Sequence, residues 1–151
     1  MVEMYVNGLT LDPLTQMPVI VLKSKSSDEI LPLWVGVFEA NSIALELENI
    51  KKPRPMTYDL IKNIFDTLDV NVKKVYITDV KSGTFYAKIE ISLNGKAHTV
   101  DARPSDAINI ALRCNAPIYV SNEVFQKIKK EEDEEINLED LEELIEIKEA
   151  I

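Results

Sequence analysis

The order of patterns in this 151-residue chain predicts an α+β fold built on a largely antiparallel sheet. Three observations carry that expectation. Residues 72–103 contain three strand-like runs in succession, separated by short turns. The middle run alternates, with Phe85, Ala87, Ile89, Ile91 and Leu93 on one side and Tyr86, Lys88, Glu90 and Ser92 on the other. Asn94-Gly95 then supplies the two positive-φ residues of a type I′ hairpin.

From the N-terminus, residues 2–11 read as a strand that ends at the Asp12-Pro13 turn. A second strand runs from Pro18 to Lys23, and SKSSDE follows as a polar loop. A third, Leu31 to Val37, is apolar enough to be buried on both faces. FEANSIALELENI has helical spacing: Ala40, Ile43, Ala44, Leu47 and Ile50 share an apolar face, while Glu39, Ser42, Glu46 and Asn49 form a polar stripe. KKPRP breaks this helix, and Thr57 is placed to cap the next, TYDLIKNIFDTL. The meander follows as Val72–Val80, Phe85–Leu93 and residues 96–103. A helix opening at Pro104, a short strand at Pro117–Val120 and a helix from Ser121 complete the body. The EEDEE run reads as solvated. Residues 138–150 read as a last helix capped by Asn137, with Leu138, Leu141, Leu144 and Ile145 on its apolar side. The expected division is a domain over residues 1–128 and an acidic helical tail over 129–151. Trp34 and Phe38 are expected in the core.

Composition narrows the function classes. A single cysteine, Cys114, excludes an internal disulfide framework and a cysteine-built zinc site. No basic and apolar leader opens the chain, and no run reaches the roughly 18 apolar residues that span a membrane. A cytoplasmic protein with no membrane partner is expected. The net charge of −9 is uneven: residues 1–121 hold 13 Lys+Arg against 14 Asp+Glu, and residues 122–151 hold 4 against 12. Acidity opposes nucleic-acid binding, but here it is concentrated in the tail and the body is close to neutral.

An internal echo marks the candidate site. Glu39-Ala40-Asn41-Ser42-Ile43-Ala44-Leu45 and Asp106-Ala107-Ile108-Asn109-Ile110-Ala111-Leu112 share an acid-Ala-x-x-Ile-Ala-Leu pattern, each after a strand-like run. A duplicated strand–helix unit and a convergent pair of sheet-packed helices both produce such an echo. In the stretch VDARPSDAINIALR, Pro104 keeps Arg103 extended at a strand end and suits the first helical turn. Ser105 or Arg103 is then the cap, and Asp106 falls where the helix dipole favours an acid. Strand alternation puts Thr99, Asp101 and Arg103 on one face.

Two readings of this corner stand. It is either a local ion pair that fixes strand to helix, or an anion site in which an arginine fork joins the free N–H groups of a helix start. Arg54, before the helix at Thr57, repeats the arrangement. On the second reading Arg103, Arg54 and Ser105 bind a phosphodiester, and Asp106, Glu39 and Asp101 are the catalytic carboxylates. Asp106 and Glu39 would hold Mg²⁺ or Mn²⁺, which take oxygen ligands and activate water. One histidine, His98, excludes a two-histidine mechanism within one chain and reads as an exposed strand residue; Cys114 reads as a small buried one.

LPLWVGVFEANSIALELENI, KKPRPMTYDLIKNIF, VYITDVKSGTFYAKIEI and VDARPSDAINIALRCNAPIYV, in that order, resemble the bifunctional nuclease domain family over about residues 1–128. The resemblance implies a compact, often self-associating α+β domain that cleaves RNA and DNA, hence nucleic acid as partner and a homodimer. It brings no agreed catalytic residues. Tyr58 stands where many relatives carry histidine after Pro-x-Thr, and the acidic tail is unlike the helical module of plant relatives. Two other classes fit the same residues: a domain binding a small phosphorylated ligand without catalysis, and a protein-interaction domain using a sheet edge or the acidic helix.

Overall fold

Two three-stranded meanders make up most of the molecule, which a computed structural model describes over residues 1–149, with side-chain surroundings for residues 1–135. Val2–Leu11 (β1), Pro18–Ser24 (β2) and Ile30–Trp34 (β3) form the first, and Asn71–Lys81 (β4), Thr84–Leu93 (β5) and Lys96–Ala102 (β6) the second. Each is antiparallel throughout. Each is followed by a helix that opens on one of the echoing heptads, Val37–Leu47 (α1) and Pro104–Cys114 (α3). Ile118–Val120 (β7) joins the meanders, antiparallel to β1 and parallel to β4, in a seven-stranded sheet of order β3-β2-β1-β7-β4-β5-β6. Thr57–Thr67 (α2) lies between the two units, and Asn122–Glu149 (α4) ends the described chain. The α+β class expected from the sequence is the one observed.

The β4–β5–β6 meander follows the alternation. Ala87 and Ile89 are buried, and their register partners Ile77 and Val75 are buried with them. Asn94 and Gly95 take φ of 51° and 77° in the turn to β6. Helix α3 lies against β4 and β5, and its exit is set by Asn115, a left-handed cap at φ 51°. Ala107 and Ala111 are both buried, so the α3 backbone can sit close to its neighbours. Only α3 of the two heptad helices packs substantially on this meander; α1 packs on α3 and reaches β2.

Several expectations are corrected. The third strand is β3, ending at Trp34, and it alternates instead of being buried on both faces: Leu31 and Leu33 are inside, Ile30 and Trp34 about half exposed. It is the edge strand of the sheet, and its outward residues Ile30, Pro32 and Trp34 border a hollow beside Phe125 and Ile128 of α4. Trp34 and Phe38 are not core residues: the Trp34 indole N–H donates to Asp12 at 2.8 Å, and Phe38 is 87 % exposed. On α1 only Ala40 and Ile43 of the expected apolar face are buried, and Leu47 and Ile50 are exposed at its end. Met56, not Thr57, is the cap residue of α2. Asp59 accepts the Met56 N–H at 2.9 Å, a job its side chain can do from the third helical position. Cys114 is half buried instead of buried. No break occurs at Asn137, because α4 is continuous through it. The apolar side expected at Leu138, Leu141, Leu144 and Ile145 lies outside the residues whose side chains are described.

The polar side chains Asn109 and Arg113 of α3 are not on a solvent face; they meet the backbone of α1 at Glu39 and Ser42, while Asn49 stays exposed. Asn109, fully buried, donates to the Glu39 carbonyl at 3.2 Å and the Ser105 carbonyl at 2.9 Å. Arg113, buried beside it, donates to the Ser42 carbonyl of α1 at 3.1 Å and to Asp59 of α2 at 2.9 Å. A third side of the guanidinium binds the Asn109 carbonyl and side-chain oxygen, both at 3.1 Å. One arginine therefore ties three helices together, with every group satisfied as burial demands.

Candidate functional site

The site lies where the two heptad helices begin. Glu39 and Asp106 are the third residues of α1 and α3, so the pairing of the helices brings both carboxylates to one place. Arg103 reaches them from the end of β6. Its backbone is extended, φ −69° and ψ 146°, as the following proline requires. Its Nε donates to Asp106 Oδ2 at 2.7 Å and its Nη2 to Asp106 Oδ1 at 2.9 Å, a bidentate pair, and Nη2 also donates to Glu39 Oε1 at 3.0 Å. The Arg103 side chain is 65 % exposed, whereas Glu39 is 17 % and Asp106 28 % exposed. The arginine is the open element of the triad, and the carboxylates are its seat.

Tyr58, the second residue of α2, closes the other side. Its hydroxyl donates to Asp106 Oδ1 at 2.6 Å, and the Arg113 guanidinium lies 5.4 Å from its ring centre. Burial opposes the charge of Asp106, but hydrogen bonds from Arg103 and Tyr58 outweigh it and hold this carboxyl below its ordinary range. Burial, and then the bond to Asp106, push the Tyr58 hydroxyl up, so it stays protonated and remains a donor. Asp106, then Glu39, keep the Arg103 guanidinium charged.

These groups line a cleft of about 690 Å³. Its polar lining includes Glu39, Arg103 and Asp106, and its apolar lining includes Phe38, Met56, Ile61, Ile89, Val100 and Ile110. Asp101 borders the cleft, yet it pairs across the sheet with Lys88, while Val100 pairs with buried Ile89. Asp101 is therefore on the face of β6 turned away from Ile89, and none of the hydrogen bonds holding Arg103 comes from it. Arg54 does not line this cleft; it lines a separate hollow of about 240 Å³ with Lys52, Asp59 and Asn63. Ser105 is buried and lines the opposite side of the β6–α3 junction with Pro104 and Gly36.

Among the described residues no three His, Cys, Asp or Glu side chains are grouped to hold a metal ion. Glu39 and Asp106 are the two carboxylates grouped at the cleft, and their oxygens accept hydrogen bonds from Arg103 and, on Asp106, from Tyr58. Sequence reasoning missed Tyr58 as an Asp106 partner, Arg113 as its support and Phe38 as part of the cleft. The signal for Arg113 was present: it continues the Asp106–Asn109 stripe at helical spacing.

A family model described as the bifunctional nuclease domain matches residues 20–133. The chain belongs to the bifunctional nuclease domain family. An uncharacterised protein of Mycobacterium tuberculosis is 41 % identical over 137 residues, covering 88 % of this chain and 82 % of that protein. Bifunctional nuclease 1 of Oryza sativa subsp. japonica is 36 % identical over 110 residues, 70 % of this chain and 33 % of the plant protein. Bifunctional nuclease 1 of Arabidopsis thaliana is 36 % identical over 109 residues, 69 % and 33 %. This bifunctional nuclease domain thus corresponds to about a third of each plant relative. Its matched region spans α1, α2, β6 and α3, and so includes every side chain of the triad. No helix of the described residues is long and apolar enough to cross a membrane.

Proposed function

We propose that the Arg103 cleft binds and hydrolyses phosphodiesters of RNA or DNA. The carrying observation is Arg103 itself, a guanidinium largely exposed at the cleft yet oriented by two carboxylates at 2.7–3.0 Å. A planar fork held in place suits phosphate oxygens at little ordering cost. Arg103, Glu39 and Asp106 together carry −1, so a phosphodiester is favoured there only in company with a cation. A divalent metal would meet this need, and Glu39 and Asp106, with the lone pairs that Arg103 and Tyr58 leave free, are the residues that would hold it. Such an ion, when bound, supplies neutralising charge and a water of lowered pKa. The chain's own residues do the rest. Arg103 orients the phosphate, Tyr58 fixes the Asp106 carboxylate through its hydroxyl, and the apolar wall limits water. Asp101 has a secondary place, at the cleft edge.

Names of the plant relatives support a nuclease; their greater length leaves their whole activity a matter for those proteins. Purified protein is to be assayed on labelled RNA and DNA with and without Mg²⁺ or Mn²⁺. Arg103→Ala should weaken binding and lower its salt slope by about one phosphate contact. Asp106→Asn should abolish metal-dependent cleavage while the fold persists. If Asp106→Asn lowers thermal stability and leaves binding and cleavage as they were, the corner is only an ion pair and the proposal fails. A homodimer and a cytoplasmic setting go with this reading. For the dimer, α2 presents Leu60, Ile64 and Leu68 about half exposed at spacings of four residues, a stripe that a second copy would cover. Light scattering of the full chain decides it.

A further inference from the structure

Phe38 is left over by the chemistry above. It is 87 % exposed, although a phenylalanine in that position does nothing for the helix. As the second residue of α1 it matches Ser105, second in α3, which is small and buried. The two units of the fold diverge here, and the divergence places an aromatic ring at the mouth of the cleft. Phe38 is adjacent in sequence to Glu39, whose carboxylate seats Arg103. Behind it the cleft is walled by Ile61, Ile89, Val100 and Ile110, and its volume of about 690 Å³ admits a nucleobase. Removing such a ring from water is favourable, and an aromatic face beside an arginine offers stacking and phosphate contact together.

Resting on the phosphodiester reading, we propose that the cleft takes an unstacked nucleobase against Phe38 while Arg103 holds the neighbouring phosphate. The substrate class is then single-stranded nucleic acid, and Phe38 is the residue that specifies it. A duplex keeps its bases paired and stacked, so it meets Arg103 without offering a base to Phe38. Every base has a π-face, so the contact tolerates sequence and serves RNA and DNA alike.

Fluorescence anisotropy on the full chain tests this, with Ca²⁺ in place of Mg²⁺ so that strands stay intact. The probes are a thymidine oligomer, the same backbone with abasic sugars, and the thymidine oligomer annealed to its complement. Wild type should bind the single strand about tenfold more tightly than the abasic strand or the duplex. Phe38→Ala should lose about tenfold on the thymidine oligomer and nothing on the abasic one, and Phe38→Trp should restore binding. Equal loss on both strands, or a duplex bound as tightly as the single strand, overturns the inference while leaving phosphodiester binding intact. Conversion of a dimer to a monomer by Phe38→Ala with unchanged oligomer affinity also overturns it, assigning the ring to a protein contact. Absence of salt-dependent binding to any probe rejects the phosphodiester reading itself, and this inference with it.

Discussion

Asp59 shows how much one carboxylate can hold. It caps α2 through the Met56 N–H, binds Lys52 at 2.8 Å and receives the Arg113 guanidinium at 2.9 Å. Burial raises its pKa, but the Lys52, Met56 and Arg113 bonds prevail and bring it from 3.8 to about 2. A folded-state pKa below the unfolded value means stability that is complete above about pH 4 and is lost as pH falls through about 2. The Asp59 side chain is 20 % exposed, so the contribution is discounted to about 1–2 kcal/mol at neutral pH. Asp59→Asn should therefore lower Tm by roughly 2–8 °C at pH 7 and remove part of the stability change between pH 4 and 2. Thermal scans across pH check this; an unchanged profile would mean the carboxylate is not coupled to folding.

At the scale of elements, the α1–α3 contact is polar at its centre and depends on Arg113. Its four acceptors lie on its own helix and on both neighbours, α1 and α2. Arg113→Met keeps the length of the side chain but leaves the Ser42 carbonyl, the Asn109 oxygens and Asp59 short of donors. The expected loss is about 3–5 kcal/mol in urea unfolding, because buried partners are stranded. Adding Asp59→Leu should cost less than the sum of the single changes, since the stranded charge is gone. Strict additivity would show that the two groups act separately. Tyr58 rests over Arg113, so the single variant should also loosen the Asp106 corner. Cleavage should fall in Arg113→Met more than its fraction of unfolded protein accounts for.

For the whole molecule, we propose that the acidic segment and the body separate within α4. Val124 and Phe125 are buried in the core and Ile128 packs against it, so the first turns of α4 belong to the body. Lys127 binds Asp79, and Lys129 binds Glu29 at 3.4 Å, which fasten α4 to strand β4 and to the loop before β3. Truncation after residue 130 keeps these and leaves 16 Lys+Arg against 15 Asp+Glu, a net of +1 in place of −9. The truncated chain is expected to fold, with a cooperative melt, and to bind nucleic acid more tightly at low salt than the full chain. Loss of the melt would show that residues beyond 130 complete the core. The proposed boundary at 128–129 then moves toward the C-terminus.

Local pattern was enough for much of this protein. Alternation in Phe85–Leu93, the Asn94-Gly95 turn and the Arg103-Pro104 junction act over a few residues, through pleat geometry, positive φ and proline sterics, and each is read without knowing the rest of the chain. The equivalence of Glu39 and Asp106 was legible in the same way, from the heptad echo. What surrounds those residues was not. Whether Phe38, Trp34 or the Glu39–Ser42 stripe faces solvent or a neighbour depends on which layer covers it, and that is decided by sheet order. Tyr58 meets Asp106 across 48 positions of sequence, and Arg113 meets Ser42 across 71. Separations of that kind carry no periodic signal. Tertiary packing alone brought Tyr58 to Asp106, sent Arg54 to another hollow and buried Asn109 and Arg113 against the α1 backbone.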